Sequence, residues 1–129
     1  MTVEGKALLG FSKASRLLKQ SEFNRVFKQG RRVSVPELTL AYRVRPPKDE
    51  KLFPPRLGLS VSRKVGNAVV RNLFKRRVRE IFRLHQGLMV LGSEMVVIPR
   101  KEAGVWGYQE LEKRLLGLLE RGKLIKKAI

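Results

Sequence analysis

Residues 62–83, SRKVGNAVVRNLFKRRVREIFR, restrict the fold more than any other stretch of the chain. Eight of these 22 positions are Arg or Lys and only Glu80 is acidic, yet apolar residues recur among them at helical spacing. At about 100° per residue, Val70, Phe74, Val78, Ile81 and Phe82 fall in an arc of roughly 120°. Arg71, Asn72, Lys75, Arg76, Arg79 and Arg83 fall in the neighbouring arc of roughly 140°. Such a helix must lay one face on an apolar partner and hold up another that is almost purely cationic. Leu73 and Leu84 lie beyond the cationic arc, which suggests cover for part of a third face.

The remaining segments supply a sheet for that helix. SEFNRVFKQG predicts a first helix, with Ser21 as its cap, Phe23, Val26 and Phe27 on one face, and Gly30 at its end. RRVSV and ELTLAYRV predict two strands; in the second, Leu38, Leu40, Tyr42 and Val44 alternate with Glu37, Thr39, Ala41 and Arg43. RPPKDEKLFPPR, with four prolines and six charges, predicts an exposed loop with no assigned role. RLGLSVS resumes as a strand before the basic segment. EMVVIPR then reads as a buried strand ending at Pro99, and YQELEKRLLGLLER as a final helix with Leu111, Leu115, Leu118 and Leu119 in one stripe. The order α-β-β-β-α-β-α predicts an α+β fold, an α/β sandwich with one four-stranded sheet. The 129 residues fit one domain, with residues 1–15 as a flexible arm and 122–129 as a frayed basic tail.

Charge sets the partner. Twenty-nine Lys and Arg against 11 Asp and Glu leave +18 at pH 7, so a compact state repels itself unless a polyanion offsets it. Nucleic acid, anionic membrane and acidic protein are the candidates, and a small folded basic domain favours nucleic acid. No run approaches 18 apolar residues, and MTVEGKALLGFSKAS lacks the pattern of a signal peptide, so neither a membrane span nor export is expected. The absence of Cys removes disulfides and thiolate metal sites and fits a cytoplasmic bacterial protein.

A charge run is usually a solvated helix face, but that reading fits poorly here. A merely soluble face mixes signs for i,i+4 pairing, whereas Arg71, Lys75 and Arg79 stack like charges, each contact costing a few tenths of a kcal/mol. The preceding SRKVGNA also places Arg63, Lys64, Gly66 and Asn67 in a loop that runs into the helix. Backbone N–H groups at a helix N-terminus bind phosphate oxygens. Helix and loop together predict a phosphate-binding surface of Arg63, Lys64, Arg71, Lys75, Arg76 and Arg79. Asn67 either shapes the turn or touches the nucleic acid; Asn72 either hydrogen-bonds the nucleic acid or ties the helix to its loop.

RLGLSVSRKVGNAVVRNLFKRRVREIFR closely resembles the signature of the bacterial ribonuclease P protein component. The matching residues are Arg63, Lys64, Gly66, Asn67, Ala68, Arg71, Asn72, Lys75, Arg76 and Arg79, a linked set far more specific than a single charged pair. The similarity runs upstream to RLLKQSEFNRVFKQG and downstream to EMVVIPRK, spanning about residues 15–101. The resemblance implies a left-handed crossover from the third strand through the basic helix to the fourth. Connections of this kind are otherwise right-handed in about 98% of cases.

The resemblance also implies a function. In that family the RNA subunit, with bound Mg²⁺, hydrolyses the phosphodiester that joins the 5′ leader to precursor tRNA. The protein binds ribonuclease P RNA and the leader, and raises metal affinity and substrate discrimination. No catalytic side chain, protein-bound metal, membrane or obligate protein partner is implied. One His, no Cys, and no nucleophile placed beside a base agree with that. Family aromatics on the first helix and an adjacent strand line the leader cleft, which points to Phe23, Phe27 and Tyr42. The residues themselves leave core packing equally open for the two Phe, and the family often has an aromatic at a strand position falling here on Leu38 or Ala41.

His85 reads as a packed or capping imidazole and Trp106 as an anchor for the last helix. Gly10 to Arg16 reads as a basic arm on RNA or as a loose terminus. Three rival functions remain. A structural RNA-binding protein of similar topology would share charge and fold but not dependence on a catalytic RNA. A helix-turn-helix DNA binder fits badly, because the basic helix sits between strands. A standalone nuclease lacks an Asp, Glu and His cluster to hold metal.

Overall fold

The computed structural model describes residues 15–48 and 51–125. Among the described residues three α-helices and four strands follow one another as α1 (Gln20–Gln29), β1 (Arg31–Val35), β2 (Leu38–Val44), β3 (Arg56–Leu59), α2 (Ala68–His85), β4 (Ser93–Pro99) and α3 (Tyr108–Arg121). The strands form one mixed sheet in the order β1-β2-β4-β3. β1 with β2 and β2 with β4 are antiparallel, whereas β3 runs parallel to β4, the two joined through α2. This is the expected α+β architecture, with β3 shorter than RLGLSVS suggested: it ends at Leu59, and a single 3₁₀ turn, Arg63–Val65, leads into α2.

The two faces of the sheet bury different partners. Leu38 and Leu40 of β2, Leu57 of β3, and Met95 and Val97 of β4 join Phe74, Val78, Ile81 and Phe82 of α2 and Leu111, Leu115, Leu118 and Leu119 of α3 in the main core. Each such side chain contributes about 1.5–3 kcal/mol when fully buried. The opposite face is smaller: Val26 of α1 and Leu17 meet Ala41 and Val96, with Phe23, Phe27 and Ile98 packed around them. β2 and β4 are therefore covered on both sides, which explains why EMVVIPR is a continuous apolar run.

Several local expectations are corrected. Lys19, not Ser21, precedes α1; its side chain accepts nothing, and Glu22 in the first turn takes the backbone N–H groups of Leu18 and Lys19 at 2.8 and 2.9 Å. Leu73 and Leu84 are exposed, so no third face of α2 is covered by the described residues. The tail expected to fray from residue 122 is held through 125. Leu124 is fully buried, its carbonyl accepts the Val90 N–H at 2.9 Å, and Ile125 bridges Met89. An apolar Leu among basic neighbours finds space beside Leu119 that the basic composition hid. At the other end Arg16 bridges Leu57, and Ser15 and Leu17 are buried, so the arm expected over 1–15 does not extend to Ser15; its residues 1–14 lie outside the described residues.

Candidate RNA interface

α2 holds its cations in place because its other face is fixed to the main core. Asn67 is its N-cap, its Oδ1 accepting the Val70 N–H at 3.0 Å. This is the turn-shaping role, worth about 1 kcal/mol in comparable caps. Arg71 Nε donates to the Gly66 carbonyl at 3.1 Å, tying the first turn of α2 to the loop before it. At Gly66 a Cβ would stand 2.9 Å from the Val70 side chain, so glycine here serves close internal packing. Arg63 and Lys64 are exposed on the 3₁₀ turn, and Asn72 and Arg76 are exposed on α2. Asn72 makes no hydrogen bond among the described residues, so it does not tie the helix to its loop.

Two neighbouring arginines do not join this surface. Arg77 Nη1 donates to the Trp106 carbonyl at 2.7 Å, fastening α2 to the segment before α3. Arg83 pairs with Glu80 at 2.6 Å, a bond that lowers the Glu80 carboxyl below its ordinary range and raises the guanidinium. His85 Nε2 lies 3.2 Å from Glu112 on α3, the packed role expected of it. Trp106, beneath the Arg114 guanidinium at 5.4 Å, anchors the start of α3.

The cationic face of α2 meets α1 at the outer edge of β3. There Lys75 and Arg79 share a cavity of about 150 Å³ with Arg16, Leu17, Leu18, Phe23, Leu57, Gly58 and Leu59. Partial desolvation, and then the like charge of Arg16, pull the Arg79 guanidinium below its ordinary range. It stays charged at neutral pH, and cations crowded into one recess are what an anion would relieve. Phe23 lies over Gly58, where a Cβ would come within 2.8 Å of two ring carbons. Phe27, further along α1, has the Arg32 guanidinium 5.4 Å from its ring centre. Both rings are half-buried, so each combines core packing with a surface edge.

Tyr42 does not belong to this group. It alternates with Ala41 and faces the main core, its ring against Gly122 after α3. The apolar residue of β2 beneath α1 is Ala41, whose small side chain lets the helix lie close. The structure thus brings Phe23 together with Lys75 and Arg79, sets Phe27 on the same face, and puts Tyr42 on the other. Arg16 was legible only as part of a basic arm; its bridge to Leu57 places it in the cavity. Among the described residues no three His, Cys, Asp or Glu side chains gather as metal ligands, and no helix is long and apolar enough to cross a membrane.

Comparison with known proteins gives one consistent result. A family profile described as Ribonuclease P matches residues 11–123. The ribonuclease P protein component of Bacillus velezensis is 39% identical over 116 residues, covering 90% of this chain and 96% of that protein. That of Streptococcus pneumoniae is 37% identical over 111 residues, 86% of each chain. Among solved structures, an RNase P protein from Staphylococcus aureus aligns over 88% of this chain and 100% of its own, at 32% identity and a TM-score of 0.76. The protein from Thermotoga maritima aligns over 82% and 96%, at 34% identity and a TM-score of 0.71.

Proposed function

The chain belongs to the ribonuclease P protein-component family, and on that premise we propose that it binds ribonuclease P RNA through the exposed cations of α2 and its preceding loop, and the 5′ leader of precursor tRNA along α1. One observation carries this reading: Phe23 and the cations Lys75 and Arg79 line a single recess at the β3 edge. A single-stranded segment needs both a charged track for its backbone and an apolar surface for its bases. Stacking tolerates any base, which suits a leader of variable sequence. Arg76 and Arg63 offer forked donors to phosphate oxygens, and Lys64 and Lys75 act as point charges. Hydrolysis is assigned to the RNA subunit and its Mg²⁺. The residues of this chain hold and orient RNA, and their own chemistry moves no proton in the reaction.

The test is reconstitution. Precursor tRNA is incubated with a bacterial ribonuclease P RNA at low Mg²⁺, with and without the protein. Cleavage at the leader junction that needs both components, and that falls in an Arg76→Ala/Arg79→Ala variant of unchanged stability, is the expected result. Tight, salt-sensitive RNA binding with no stimulation of cleavage would instead assign the chain a purely structural RNA-binding role.

A further inference from the structure

Beneath α1 lies a charged assembly that the phosphate-binding surface does not use. Glu94 of β4 is 2% exposed, and its register neighbours on the two flanking strands are Arg43 of β2 and Arg56 of β3. Its Oε1 lies 2.9 Å from Arg43 Nε and its Oε2 3.5 Å from Arg56 Nη1. Each guanidinium then reaches a different end of α1. Arg56 Nη2 meets Glu22 Oε2 at 2.7 Å and donates to the Arg16 carbonyl at 2.8 Å; Arg43 Nη1 donates to Gln29 Oε1 at 2.7 Å. Two carboxylates and two guanidiniums cancel, so this group adds little to the field that attracts RNA.

Adhesion alone does not account for it. Val26 already seats α1 on Ala41 and Val96, and well-packed apolar residues commonly replace a buried ion pair without loss of stability. Apolar contact is non-directional, however, and by itself leaves a ten-residue helix freer to slide or tilt on the sheet. Bonds of fixed geometry at both ends remove that freedom. The position matters because Phe23 rests so closely on Gly58 that a small shift of α1 would reshape the recess it shares with Lys75 and Arg79.

We propose that Glu94 is a positioning residue for leader recognition, holding Arg43 and Arg56 so that they fix both ends of α1 and hence the places of Phe23 and Phe27. This rests on α1 being the leader-binding helix. Partial burial opposes the ionisation of Glu22, but the backbone N–H groups of Lys19 and Leu18, and then Arg56, outweigh it and hold its pKa at about 2, so the clamp persists at neutral pH.

The experiment uses reconstituted holoenzyme and measures the Kd of precursor tRNA with a five-nucleotide and with a one-nucleotide leader. The ratio is the leader preference. Glu94→Gln keeps the shape but not the charge, and is expected to lower that ratio at least about fivefold, the scale of one stacked base, while affinity for the RNA subunit stays unchanged. Gln29→Ala cuts only the exposed outer end of the clamp and is expected to lower it in part. A folded Glu94→Gln protein that keeps the full ratio, or weakens both substrates equally, overturns the proposal. Should Glu94→Gln fail to fold, an unchanged ratio in Gln29→Ala overturns it. Absence of any leader preference in the unmutated protein would instead sink the leader reading of α1, a failure visible before any variant is made.

Discussion

Arg76 and Arg77 are adjacent in sequence and opposite in what they do. The helix turns about 100° between them, so one side chain points into solvent and the other reaches the Trp106 carbonyl. Arg76→Ala is expected to weaken RNA binding and to reduce the slope of log K against log salt by about 0.7–0.9, with the unfolding midpoint unchanged. Arg77→Ala should do the reverse, costing about 1.5–3 kcal/mol of stability through a lost charged hydrogen bond while leaving the salt slope alone. Paired salt titrations and urea unfolding of the two variants check this. Tyr42 gives the same lesson in a strand: one position from Ala41 moves a side chain from the α1 face to the main core. The alternation was readable in the sequence, but the face that meets α1 was not.

At the scale of elements, α1 is the piece whose placement carries the most consequence. Gly58→Ala would drive a methyl into the Phe23 ring, and overpacking of this kind costs about 1–3 kcal/mol. Denaturant unfolding should show that loss, and leader affinity should fall further than affinity for the RNA subunit. The start of α1 is also sensitive to acid. Glu22 titrates at about 2 in the folded protein against an ordinary 4.5, so its stabilising contribution is complete above about 4.5 and disappears as the pH falls toward 2. Thermal unfolding across that window should show a loss that Glu22→Gln reduces. Helix boundaries were largely legible because they follow periodicity. The Lys19–Glu22 start was not, since Ser21 offered a conventional cap that the chain does not use.

For the whole molecule, +18 is a distribution as much as a total. Arg43 and Arg56 are neutralised inside, Arg83 and Arg114 are paired on the surface, and Arg77 is tied to backbone. Arg63, Lys64, Lys75, Arg76 and Arg79, with Arg71 at the helix start, remain as one track from the 3₁₀ turn along α2 to the α1 recess. If those six meet phosphates, log K for RNA should fall against log salt with a slope of about −4 to −5, far less than 29 cations would suggest. A titration over a fourfold salt range distinguishes the two.

The sequence by itself determined the strand and helix content, the phase of the cationic face, the continuous apolar β4 and the family likeness. Each is written in residues close along the chain, where period and spacing suffice. Only the tertiary structure decided that Glu94 is an ion-pair centre and not merely the start of the expected strand EMVVIPR, that Leu124 closes the core, and that Phe23 shares a recess with Arg79 while Tyr42 does not. Those facts depend on pairs such as Arg43 with Glu94 and Phe23 with Gly58, which strand register and helix docking bring together across tens of residues. No local pattern encodes them, because the contacts that decide them exist only once the sheet has formed.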